Sequence, residues 1–453
     1  MKRSWIIVML LLVFSISGCF YGTDDSTSVS DDDVSDDDIA DDDTDDDDTA
    51  PELESITVEP AYAGVPVGTT QQFRALGHFS DDSTQYLSDV SWSTSDDSLA
   101  TIDESGVLSA AADGIVTVTA EKDGVSGQAK AYLKPDVLVI DSFGAGIAAA
   151  DRASGEVTEF VLGGGTGTTP NKIYVHDGTV FVVDSNAGGE AGFLRYISLD
   201  DLYSAKDSAA ESIELTGCKN PWDLAFVGDY IYITCTRSNS VVKVDLGSKG
   251  VVASIELPEG SAPQDIVYGA DRLFLTATYY DYENYQANLG SFIEIDPASD
   301  TVVNEVFTGD YNPTGIVFNN AGNKLYISNT DWHDLTGTIT VVTLGEEELG
   351  SIELGMAPGP LAMAQNGYLF VGEQAAGSVY VIDTSDDSVV VGADDPIAIP
   401  DAWWVHGLKY IADADAVYAL DFNGYIYPID PDSFELGDAF AFELTAPQDV
   451  VAY

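Results

Sequence analysis

The apolar positions of this chain fall into short runs, alternating or continuous, separated by Gly, Asp, Asn and Pro, which is the pattern of many strands joined by tight turns. Two regimes follow one another. Over residues 52–134, SITVEP, TTQQFRALGHF, DVSWSTS, SLATID, GVLSAAADGIVTVTAEKDG and QAKAYL alternate with period two around one central Trp92, which predicts a small β-sandwich. Beyond Pro135 the runs become continuously apolar and repeat. VLVIDS, VFVVDS, IYITCT, LFLTAT, LYISNT, LFVGEQ and VYALDF begin at residues 137, 180, 231, 273, 325, 369 and 417, at spacings of 43, 51, 42, 52, 44 and 48. Upstream of six of them lies another short strand, such as WDLAFV or QDIVYG, and downstream come further strands such as SVVKVDL and VVASIEL. Four strands per unit suit the blades of a β-propeller, whose stacked sheets bury both faces. The first unit lacks its inner strand, and the final residues APQDVVAY, so like APQDIVYG at 262–269, supply it. The expectation is an all-β chain: a small sandwich at 52–134, then a seven-bladed propeller at 135–453 closed by its C-terminal strand.

The sandwich region carries LESITVEPA, VPVGTTQQFRALGHFSDDST, VSWSTSDDSLATID and GVLSAAADGIVTVTA, and in these it resembles the group 2 bacterial immunoglobulin-like family. That resemblance implies an immunoglobulin-like spacer or adhesive module of a bacterial surface protein, without catalysis. The repeats over 136–453 resemble the YVTN family of seven-bladed propellers; related repeats occur in NHL proteins and bacterial lactonases.

The amino terminus reads as an address. Lys2 and Arg3 precede an apolar run from Trp5 to Phe14 that is too short to span a bilayer, followed by small residues, as in a secretory signal. Ile16-Ser17-Gly18-Cys19 resembles the bacterial lipobox, which implies lipidation of Cys19, a signal peptide at 1–19 and anchoring in the cell envelope, at the outer membrane or cell surface. Residues 20–51 form an acidic tether: Tyr21 to Ala50 hold fifteen Asp and no Lys or Arg, so they cannot bury a core and repel one another into an extended chain. The whole chain has 17 Lys+Arg against 77 Asp+Glu, a net charge of −60, which excludes nucleic acid as a partner.

In such a propeller the loops from outer to next inner strand, and from second to third strand, emerge on one face. The residues that end the second strands include Asp141, Asp184, Glu373 and Asp421, a largely acidic ring that either caps strand ends or binds a cation such as calcium. Two second-to-third-strand loops on that face are enlarged. They display Tyr279, Tyr280, Tyr282 and Tyr285, then Trp332 and His333, while Trp403 and His406 enter at the seventh blade. Aromatics beside carboxylates suit a glycan or a protein partner, or else pack on one another. Cys218 and Cys235, both directed to the loop face of an exported protein, are candidates for a disulfide. HExxH, GxSxG and CxxCH are absent from the sequence, and only His333 and His406 share the loop face, so no catalytic set assembles. The expected function is a monomeric, surface-tethered binding or adhesion module, with no cofactor beyond the calcium that the acidic ring would admit. The alternative is a propeller hydrolase or lyase, lactonase-like or streptogramin-lyase-like, with its site on the same face.

Overall fold

The computed structural model describes residues 51–65, 67–112, 114–133, 136–141, 146–151, 157–161, 169–186, 191–203, 210–282, 284–412, 414–441 and 447–452. The signal segment, Cys19 and the acidic tether lie outside the described residues.

The first folded unit places Leu53–Glu59 beside Arg74–Phe79 and Thr84–Tyr86, and Ser91–Thr94, Ile115–Lys122 and Val125–Tyr132 in a second sheet with Tyr62–Gly64. A third, short sheet joins Thr70–Gln72, Val107–Ala110 and Ala100–Ile102. Two runs that the alternation joins are therefore divided: TTQQFRALGHF turns at Phe73, and GVLSAAADGIVTVTAEKDG turns after Ala110. Phe73 is fully buried, and with Val58, Leu108, Val116 and Val118 it forms the core against which Trp92 packs.

The second unit is a ring of seven antiparallel sheets among the described residues. Blades 2 to 7 begin with the inner strands Pro170–His176, Pro221–Val227, Pro263–Gly269, Pro313–Phe318, Pro358–Met363 and Val405–Ile411. Blade 1 consists of Asp136–Asp141, Gly146–Asp151 and Val157–Val161, with Pro447–Ala452 as its inner strand. The chain thus closes its ring with its own end: Leu138 pairs with Val451 and Val139 with Val450. The seven inner strands contact one another in sequence all the way round. Closure leaves no open seam between first and last blades, which is what keeps the apolar blade faces out of water.

A common local chemistry sets the inner strands. Six of the seven begin with Pro, which lacks the N–H that a strand's first residue would otherwise have to place. That first residue pairs with the end of the second strand in every blade, as Pro170 with Asp184, Pro221 with Cys235 and Val405 with Asp421. Beside it each ladder shifts register. Such a bulge re-aims the side chains that follow the proline. Three third strands meet the next blade's proline through a glycine: a Cβ on Gly192, Gly290 or Gly337 would fall 2.3, 2.0 or 2.7 Å from Pro221, Pro313 or Pro358. Between blades, apolar faces interdigitate, with Tyr232, Tyr326 and Phe370 almost wholly buried.

Candidate functional site

The loop face has two parts, a rim of long hairpins and the mouth of the central channel. At the rim, blade 4 carries Leu289–Asp296 and the eleven-residue outer strand Thr301–Tyr311, and blade 5 carries the hairpin Lys324–Asp331/Thr336–Thr343. The two blades touch there, and Thr338 Oγ1 donates to Asp310 Oδ2 at 2.6 Å. Leu289 pairs with Tyr311 and Ser291 with Phe307. Phe307 (54% exposed), Leu289 and Tyr311 are exposed on the blade 4 hairpin, and Trp332 and Leu335 are exposed at the turn of the blade 5 hairpin.

Of the sequence candidates, Tyr285, Trp332 and Trp403 are exposed. Three tyrosines are instead engaged in packing. Tyr279 donates to Glu305 Oε1 at 2.7 Å and stacks on Phe307 with centroids 5.7 Å apart; burial, then Glu305, holds its hydroxyl well above the ordinary range. Tyr280 and Tyr282 meet edge to face at 5.0 Å, and Arg237 lies 5.0 Å from the Tyr282 ring centroid. Burial pushes Tyr282 up to about 12. His333 stands in open solvent with Nδ1 2.7 Å from Asp334, whose hydrogen bond and charge raise its pKa. His406 lies in a different setting: its Nε2 is 2.6 Å from the Gln448 Oε1 acceptor and its ring stacks near Trp404 at 6.2 Å. Burial lowers the His406 pKa, opposed by the Gln448 hydrogen bond and assisted by the Lys172 charge. The two histidines therefore do not form one acid–base set.

The acidic ring sits one strand farther out than a channel lining requires. Asp141, Asp184 and Asp421 are buried at the ends of second strands, with an inner strand between them and the axis. Asp184 accepts from Arg195 Nε at 2.8 Å and from the Asn186 N–H at 3.0 Å, and Asp421 accepts from Asn423 Nδ2 at 3.0 Å. Glu373 is half-buried, and burial raises its pKa. Among the described residues no group of three or more His, Cys, Asp or Glu is placed to hold a metal. Cys218 and Cys235 are joined in a disulfide with Cα atoms 5.1 Å apart. The register opposes Cys235 to Pro221, rather than to Trp222 as the turn alone would suggest.

The channel mouth holds residues that sequence reasoning did not single out. The third residue of each inner strand is Lys172, Asp223, Asp265, Gly315, Pro360, Gly407 or Asp449. Asp223 and Asp449 each bridge to the next inner strand, accepting from the N–H of Ile266 at 3.0 Å and of Ile173 at 3.1 Å. Tyr174 donates to Asp223, and Lys409 lies 3.9 Å from Asp449. Asp265 behaves differently. It accepts from Trp222 Nε1 of blade 3 at 3.1 Å and faces Lys172 Nζ of blade 2 at 3.4 Å. Burial lifts Asp265 to about 6 against the opposing Lys172 charge; Asp265, Asp223 and Asp449 together raise Lys172 even though burial alone would lower it. The signal that could have found this group is the repeated Pro-x-Asp at 221–223, 263–265 and 447–449, with Lys replacing Asp at 172.

Comparisons with known proteins agree with this architecture. Residues 52–132 match the bacterial Ig-like domain (group 2) model. A curated relative, ice-binding protein 1 of Shewanella frigidimarina, is 41% identical over 69 residues, 15% of this chain and 8% of that protein, so the chain spans less than a tenth of its length. Among solved structures, the periplasmic gluconolactonase of Pseudomonas aeruginosa superposes with a TM-score of 0.53 at 15% identity, over 70% of this chain and 98% of that one. Hydrazine synthase of Kuenenia stuttgartiensis gives a TM-score of 0.50 at 15% identity, over 62% and 89% of the two chains. At such identities the likeness is one of fold. The chain is therefore an all-β protein with a bacterial immunoglobulin-like domain followed by a propeller.

Proposed function

We propose that this protein is a lipid-anchored binding module of the bacterial cell envelope, monomeric and held off the membrane by its acidic tether, which engages a protein or glycan through the rim of blades 4 and 5. The observation that carries this reading is the number of large apolar side chains left exposed on the two long hairpins that meet here: Leu289 and Tyr311, paired across strands, with Phe307 in blade 4, and Trp332 and Leu335 in blade 5. Large apolar side chains left exposed together at one edge of a fold mark an interaction site, whereas isolated ones scattered over a surface do not. The aromatics among them can each supply about 1–2 kcal/mol when covered. Asp310, Asp331 and Asp334 flank the rim, so the matching partner surface is basic or hydroxylated.

The test is retention of the labelled chain on arrays of purified envelope proteins and glycans, for the wild type and for Tyr311→Ala/Trp332→Ala. Loss of at least about tenfold in retention, with an unchanged melting temperature, is expected. Equal retention by both proteins would move the binding surface elsewhere.

A second reading, hydrolase or lyase chemistry, is supported by the fold likeness to the periplasmic gluconolactonase and by His406, which burial holds toward its neutral form near the Lys172 ammonium, at the end of the propeller where loops converge. Turnover of simple lactones that disappears in His406→Gln would replace the binding reading by this one.

A further inference from the structure

We propose that the channel mouth is a second, separate site, in which Lys172 and Asp265 bind a vicinal diol of a neutral sugar. Lys172 belongs to blade 2 and Asp265 to blade 4. With blade 3 between them, their contact at 3.4 Å must reach across the channel rather than lie in the seam of two adjacent blades. The carboxylates of Asp223 and Asp449 show the ordinary use of this position, which is to stitch neighbouring inner strands together through an N–H. Asp265 turns the other way, toward Trp222 and Lys172.

The pair is also within reach of solvent. Each side chain keeps 22% of its surface, against 7% for Asp449 in its pair with Lys409. An ammonium beside a carboxylate offers donors and acceptors at adjacent points, and a vicinal diol answers both: one hydroxyl accepts from Lys172 while its neighbour donates to Asp265. Trp222, already bound to Asp265 through Nε1, brings an apolar ring face of the kind that sugar C–H groups cover. His406 and Gln448, paired with each other, add polar edges from blades 7 and 1.

The charges that face the pair select against ionic ligands. Asp223 and Asp449 would repel an anion from Lys172, as would the net charge of −60. A divalent cation would have to displace the Lys172 ammonium. A neutral polyol alone leaves the ion pair intact while satisfying both partners.

The experiment is saturation-transfer NMR on the full chain with the methyl α-pyranosides of glucose, galactose and mannose, and with permethylated glucopyranoside as a probe that keeps the ring but lacks hydroxyl donors. Transfer to at least one free glycoside and none to the permethylated one is expected. Apparent affinity should fall about tenfold or more in Asp265→Asn and Lys172→Met, the loss of one charge-assisted hydrogen bond. Tyr311→Ala/Trp332→Ala should bind the glycosides like the wild type, which separates this site from the rim. Should the charge variants fail to fold, Trp222→Phe removes the indole donor and the five-membered ring while leaving an aromatic face, and is expected to weaken binding. Absence of transfer in the wild type overturns the proposal. So does wild-type affinity in any folded mouth variant whose melting temperature alone has moved, because the pair would then serve only to pin the blades.

Discussion

Replacing Cys218 and Cys235 together by Ala tests how the loop face is held. The two residues are 17 apart in sequence. In the chain-entropy model a cross-link of that length removes denatured-state freedom equivalent to about 3 kcal/mol. The folded side should change little, because other bonds dock the same loop: the Thr236 N–H donates to Asn220 O and the Arg237 N–H to Lys219 O, both at 3.1 Å, and the Lys219 N–H donates to Ser238 Oγ at 2.7 Å. Both cysteines are fully buried, so removing two sulfurs also leaves a small void, a cost of about 1 kcal/mol. At an unfolding entropy of about 2.1 cal/mol/K per residue, a unit of about 300 residues loses about 1.5 °C per kcal/mol, so the melting temperature of the propeller should fall by about 6 °C. Calorimetry of oxidised protein, reduced protein and the double variant reads this directly. The reduced wild type should resemble the variant. A double variant that melts within about 2 °C of the oxidised wild type would refute the reasoning, since neither the entropic nor the packing contribution would then be present.

Three further outcomes follow from other parts of the chain. Cys19→Ala should leave the protein out of the detergent phase of cell fractions, because the thioether can form only on that sulfur; unchanged partitioning would remove the lipid anchor from the reading. Deleting Ala446 to Tyr453 should open the ring, since Val450, fully buried, and the two bonds of Asp449 to blades 7 and 2 go with it; a truncated chain that melts like the full one would show that the terminal strand is dispensable. Burial raises Asp265 to about 6, above its unfolded value of about 4, so the folded state binds that proton more tightly. The resulting stability is present below pH 4 or so and is lost as pH rises through about 6. In urea titrations, the stability of the wild type relative to Asp265→Asn should therefore fall across this window, and a difference independent of pH would contradict it.

The blades were legible because a propeller repeats its hydrophobic pattern, and a repeat is visible without any knowledge of contacts. VLVIDS and its six counterparts all lie on second strands, and APQDVVAY is the inner strand of blade 1. Alignment along a repeat fixes the height of a residue in its blade but not its distance from the axis. That is why Asp141, Asp184 and Asp421 could be placed on one level and yet prove to be buried behind the inner strands. The tyrosine-rich loop left display and packing both open for a different reason. Composition marks TYYDYENY as a surface loop, but Tyr279 and Tyr280 face in different directions, one onto Phe307 and the other onto Tyr282. The Lys172–Asp265 pair was illegible because it joins strands two repeats apart through bulged positions, where neither period nor spacing records which way a side chain turns.

The rim and the mouth should also differ in how they answer to salt. Asp334, exposed, and Asp310 and Asp331, half-buried, flank the rim, so a basic partner docked there is attracted partly through solvent, and that attraction weakens as the screening length contracts to about 3 Å near 1 M salt. The mouth presents an ion pair that is mostly buried and offers hydrogen bonds to an uncharged ligand. Neither the pair nor a sugar gives a mobile ion much to screen. High salt should therefore release a basic rim partner while leaving glycoside transfer at the mouth almost unchanged. Binding at the mouth that vanished in salt would mean that the ligand there carries charge, which the surrounding carboxylates argue against.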